Sequence, residues 1–193
     1  MALLIVGLIL FLGVHTLGTL REQRAALIGR LGEGPYKGLY SIVSALGLVL
    51  IVWGFARYRD TAYLQIWSPP AWLHPLVLVL MWFSFVALVA AYSPAGWIKG
   101  RLRHPMLVGI KGWALAHLLA NGDLGALILF GAFLAWAVFD RISLKRRADA
   151  GAPPIPVGGL TNDLIAVAVG VIAYLALAFA FHPVVIGVPV IGT

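Results

Sequence analysis

The sequence predicts an all-α polytopic membrane helical bundle, about six transmembrane helices forming one domain over residues 1–193, and three observations predict it. Of the 193 residues, 62% are apolar and 11% charged, where a soluble domain runs at about 45–50% and about 25%. The apolar residues fall in uncharged runs of a length suited to a hydrocarbon core roughly 30 Å thick. The basic residues gather in the short stretches between those runs, so the net charge of +7 reads as membrane topology and not as a nucleic-acid surface. The partner selected by these features is the lipid bilayer, with no nucleic acid.

Each element follows in chain order. Ala2–Leu20 has neither a basic segment before it nor a small-residue cleavage motif, so it reads as a retained first helix. Arg21–Leu31 alternates basic and apolar residues at helical spacing, which suits either a helix lying on an anionic leaflet or a plain basic loop. Leu39–Ala56 and Ala71–Tyr92 are the second and third spans. The fourth, Pro105–Ala120, contains Lys111 and His117 yet opens on a proline and closes at Asn121-Gly122. Leu124–Phe139 is the fifth, with Asn121 and Asp123 placed as end caps. At about 24 Å each by helical rise, the fourth and fifth runs read as two full spans or as a re-entrant hairpin turning at Asn121-Gly122-Asp123. Asp140–Asn162 reads as a linker with a turn at Pro153, Pro154 and Pro156, and Leu164–Phe181 is the sixth span.

Eleven Lys and Arg residues flank the ends of spans one, three and five, whereas the opposite side holds only Arg57 and Arg59. That asymmetry places both termini outside the cytoplasm. Trp67, Trp72, Trp97, Tyr58, Tyr63 and Tyr92 stand at span ends and read as interfacial anchors.

With no cysteine there is no disulfide, thiolate metal site or cysteine nucleophile. No nucleophile elbow, phosphate loop, paired carboxylates or zinc spacing appears, so a hydrolase or kinase is not expected. Ionisable residues inside spans are costly and mark function, which directs attention to the histidines and Lys111. His15 and His117 lie within spans and are the ligand candidates, against the plainer reading of core histidines bonded to backbone carbonyls across the bundle. His74, His104 and His182 each precede a proline, as local backbone chemistry selects at a helix boundary, and His74 and His182 are set aside as interfacial. His104 begins the helix that carries Lys111 seven residues on, nearly on the same face. Together they suit an anion, while Lys111 alone suits snorkelling. Two intramembrane histidines without thiols or carboxylates favour a porphyrin iron over zinc.

The segment RHPMLVGIKGWALAHLLANGDLGALILFGAFLAWAVFDRISLKRR, with LGVHTL around His15 and RLGEGPYKGLYSIVSALG after it, resembles the NnrU family of bacterial integral membrane proteins over nearly the whole chain. That family is linked to nitrite and nitric oxide metabolism in denitrifying bacteria. The chain is also similar to the plant zeta-carotene isomerase, a haem b protein with histidine ligands. The shared features are the His-Pro helix start and the Trp-x-Leu-Ala-His motif, here Trp113, Leu115, Ala116 and His117.

The resemblance implies haem b as cofactor, with His117 one axial ligand of the metal and His15, in the matching first-helix motif, the other. Lys111, with Arg103 and His104 nearby, then suits the haem propionates. The chain departs from the plant enzyme at Ala114, where that enzyme has a cysteine, so a thiol ligand switch is excluded here. With the span bounds above, His15 and His117 differ in depth by roughly 10 Å, which keeps His15 with His104 as an alternative pair. Two functional classes stay open: an isomerase or redox enzyme on a lipophilic small-molecule substrate, or a non-catalytic accessory or assembly factor for a membrane nitrogen-oxide reductase. A transporter would need a polar pathway and paired repeats, and neither is found. The expected location is the bacterial inner membrane, multi-pass, with periplasmic N- and C-termini.

Overall fold

A computed structural model describes residues 1–148 and 158–190. Its helices are α1 (Ala2–Thr16), α2 (Arg21–Leu31), α3 (Glu33–Thr61), α4 (Leu73–Tyr92), α5 (Trp97–Leu102), α6 (Pro105–Ala120), α7 (Leu124–Ala148) and α8 (Leu160–Ala176), the last continued by a π-helical segment, Leu177–Ile186. Apart from one isolated antiparallel bridge between Gln65 and Asp123, the described residues hold no β-structure, and the all-α class stands.

Each of the six expected spans coincides with an apolar helix. Four of them, α3, α4, α7 and α8 with its π-helical continuation, are long and apolar enough to cross a membrane alone; α1 reaches that length only together with α2, across a 90° bend. At 16 residues α6 is apolar but shorter. Ile42 is 66% and Val52 63% exposed on α3, a placement that water penalises and lipid accepts. This is a membrane protein with several apolar helices.

Two sequence readings change. Arg21–Leu31 is a helix and not a plain loop. The fifth span does not stop at Phe139: α7 runs 25 residues to Ala148, because DRISLKRRA contains neither Gly nor Pro and is rich in good helix formers. It is therefore long enough to cross by itself and is no short arm of a hairpin. The turn expected at Pro153, Pro154 and Pro156 lies outside the described residues.

The chain divides into two compact units, Met1–Pro69 with Asn121–Ala150 and Pro70–Ala120 with Gly151–Thr193. In the first, α1 packs antiparallel on α3 through backbone contact. A Cβ on Gly7 would lie 2.6 Å from the Ile51 nitrogen, one on Gly47 would lie 2.7 Å from the Phe11 nitrogen, and one on Gly54 would collide with Leu4. Small residues at such a crossing let helices approach where apolar side chains alone gain nothing over lipid. In the second unit α4 packs against both α6 and α8. Gly109 of α6 admits the Leu88 side chain, and Gly170 of α8 admits the Val86 backbone.

Candidate functional site

The face of α1 that carries Leu4 and Leu8, 0% and 6% exposed, also carries His15, since positions 4, 8, 11 and 15 share one side of a helix. Side chains on a helix lean toward its N-terminus, which brings the His15 ring back over the preceding turn. Its Nδ1–H donates to the Phe11 carbonyl at 2.6 Å, and its ring stacks on Phe11 with centroids 4.3 Å apart. Tyr40 of α3 and Trp136 of α7 close the surroundings at 5.4 Å and 5.9 Å. The indole nitrogen of Trp136 is buried with no hydrogen-bond partner.

In the second unit α6 repeats the construction. The His117 Nδ1–H donates to the Trp113 carbonyl at 2.9 Å, and the two rings meet at 5.3 Å. Each histidine thus has an aromatic residue four positions earlier that supplies both a ring to pack on and a carbonyl to accept its proton. A carbonyl only accepts, so Nδ1 carries the proton in both rings, and in the neutral form the lone pair stands at Nε2.

His182 is the residue that sequence reasoning set aside. Its proline neighbour suggested the end of a span, yet the helix continues through Pro183 to Ile186 in π-helical form. Wider π-helical winding accommodates the missing amide hydrogen, and such segments occur often at functional sites. The His182 ring comes to lie 6.3 Å from that of His117, with planes at 35°. Its Nδ1 is buried without a partner. His74, by contrast, is exposed at the start of α4 and bonds the Val190 carbonyl at 2.9 Å.

The other candidates sit where α6 begins. Arg103 has φ 60° and ψ −46°, and the His104 N–H reaches the Leu102 carbonyl at 2.6 Å. This is a γ-turn of the rarer, strained hand. The His104 carbonyl then accepts from Val108 at 3.2 Å, so Pro105 occupies the first helical position, where its missing N–H is not needed. Lys111, half-buried two turns further on, forms no ion pair among the described residues.

Polar junctions fix these helices. Asp163, 8% exposed, accepts from the Trp97 and Ile98 amides at 2.9 Å and 2.8 Å, capping α5 from the start of α8. Lys99 donates to the Ala91 and Ser93 carbonyls at the end of α4, both at 2.9 Å. Asp123 caps α7, its Oδ1 accepting from Ala126 at 2.9 Å. Tyr58, expected as an interfacial anchor, is instead fully buried. Its hydroxyl accepts from the Leu64 amide at 3.1 Å and donates to the Leu64 carbonyl, pinning the loop that follows α3. Trp72, Trp97 and Tyr92 are 64–79% exposed at helix ends, as anchoring rings are.

Among the described residues no group of three or more His, Cys, Asp or Glu is arranged to hold a metal ion. No curated relative and no solved structure matches the chain. The family profile described as NnrU protein matches residues 3–190, nearly end to end and including every candidate residue above, and the chain belongs to the NnrU family.

Proposed function

We propose that this protein binds haem b, with His117 and His15 as axial ligands, and acts in nitrite and nitric oxide metabolism at the bacterial inner membrane as an isomerase or redox enzyme on a lipophilic substrate. The observation that carries the reading is the common construction of the two histidines. Donation of Nδ1–H to the Phe11 and Trp113 carbonyls selects the tautomer with its lone pair at Nε2 and orients the ring, which is what a metal-ligating imidazole requires.

Each histidine, within its own unit, has surroundings that suit such a ligand. Beside each histidine stands a buried polar atom without a partner, Trp136 Nε1 near His15 and His182 Nδ1 near His117, and polar groups left so in a membrane interior imply something that satisfies them. A porphyrin would bring four nitrogens of its own to the iron, so the histidines are all the protein would need to offer. When bound, haem b supplies a redox-active iron in apolar surroundings. Lys111, His104 and Arg103, at and near the start of α6, would supply cations and donors for two propionates. The basic stretches around α2, α5 and the end of α7 support a cytoplasmic placement of those ends, with both termini periplasmic.

The test is an absorption spectrum, oxidised and reduced, of the full chain purified in detergent after expression with adequate haem supply. The wild type is expected to show a Soret band that His117→Ala and His15→Ala both lose. A well-folded wild type without the band overturns the reading and leaves the accessory role beside a membrane nitrogen-oxide reductase.

A further inference from the structure

At the elbow where α1 turns by 90° into α2, a groove of about 300 Å³ opens against α3. Its walls are apolar: Leu17 of α1, Leu27 and Leu31 of α2, and Leu39 and Val43 of α3, with Tyr36 among the lining residues. Leu31 and Leu39 are 45% and 54% exposed, so the groove is open along one side. Arg24 shares a helix face with Leu27 and Leu31, three and seven residues on, and its guanidinium lies over the Tyr36 ring, 5.9 Å from the centroid. A cation therefore stands at the rim of a hydrocarbon-lined slot.

The charges around it are unbalanced. Lys37 is neutralised by Glu33 at 2.7 Å. Arg21, Arg24 and Arg30 form no ion pair among the described residues, and Glu22 is the only acid on α2. We propose that this groove binds a bilayer lipid with a phosphate-bearing anionic headgroup, one acyl chain lying against Leu17, Leu27, Leu31 and Val43 and the phosphate on Arg24. An uncharged hydrocarbon would leave Arg24 with only the Tyr36 ring and the weaker field of Glu33, which is already paired with Lys37, and a free anion would leave the groove unfilled. The guanidinium fork matches phosphate geometry, and α2 is too polar to enter the hydrocarbon, so it stays at headgroup depth. Tyr40 lines the groove and also packs on His15, but the proposal rests on the apolar walls and on Arg24 and needs no haem.

The test uses the full chain, delipidated in detergent, offered phosphatidylglycerol or phosphatidylcholine with identical acyl chains, and reads bound lipid by native mass spectrometry. The wild type is expected to retain one phosphatidylglycerol about ten-fold more tightly than phosphatidylcholine. Arg24→Gln should abolish that preference. Gly13→Leu should weaken lipid retention, since Gly13 lines the groove and a Cβ there meets nothing within 4 Å, which leaves room for a side chain to begin at the groove wall. Equal retention of the two lipids by the wild type, or unchanged retention in Gly13→Leu, overturns the proposal. Arg24→Gln changes an exposed side chain, so its result stands whatever the fate of the glycine variant.

Discussion

His117 on α6 and His182 in the π-helical segment face one another with ring centroids 6.3 Å apart, and the Nδ1 of His182 is buried without a partner. A buried unsatisfied nitrogen costs about 1–3 kcal/mol. Replacing it by a ring of similar size removes that penalty, so His182→Phe should stabilise the haem-free protein by about 1 kcal/mol, read as a rise of about 3 °C in its thermal midpoint. The same variant should hold haem less well than the wild type in a dilution series followed at the Soret band. A lower midpoint for the haem-free variant would show that the nitrogen is already satisfied and contributes to the fold.

Asp163 ties the start of α8 to the start of α5 by accepting two backbone amides. Asp163→Ala leaves both N–H groups without their acceptor in a partly buried place, which should lower stability by about 1–2 kcal/mol. Asp163→Asn keeps one carbonyl oxygen and should recover about half of that. Thermal melting of the detergent-solubilised protein separates the two. Equal melting of all three would mean that the amides find other acceptors.

The apolar helices were legible because each is written locally, as an uncharged run with its own boundary signals. Pro105 at the first turn of α6 and Asp123 before α7 are such signals, and both act as expected. The device that builds the two histidines is also local, an aromatic residue four positions before each, and Phe11 ahead of His15 stands in the sequence as plainly as Trp113 ahead of His117. What escaped the sequence depends on partners far along the chain. The amides that Asp163 caps are 65 and 66 residues away, and the Tyr58 ring packs against Gly125 of α7. His182 escaped because Pro183 imitates a helix end. The rule that proline breaks helices holds for α-helical winding, and here the helix changes to a wider one.

Arg103 adopts φ 60°, in a region that side chains with a Cβ enter at a cost of about 1–2 kcal/mol. Arg103→Gly should remove that strain and raise the thermal midpoint of the haem-free protein by an amount equivalent to about 1 kcal/mol. It also deletes a cation beside His104, so haem retention at high ionic strength should fall below that of the wild type. A variant more stable and equally retentive would confine Arg103 to the turn; a variant less stable would mean that its side chain outweighs the backbone strain.

Gly7 and Gly13 lie on one helix and make opposite forecasts. A Cβ on Gly7 would stand 2.6 Å from the Ile51 nitrogen, whereas one on Gly13 meets nothing within 4 Å. Gly7→Ala should therefore push α1 from α3 and cost about 1–3 kcal/mol, as overpacking does. Gly13→Ala should gain about 0.5 kcal/mol from helix propensity alone. Because His15 rides on the face of α1 that meets α3, Gly7→Ala should also weaken the Soret band, and Gly13→Ala should leave it unchanged. Thermal melting and the absorption spectrum, taken on the same preparations, check both. Indistinguishable alanine variants would mean that α1 and α3 do not approach through Gly7, and the placement of His15 against Tyr40 would fall with that contact.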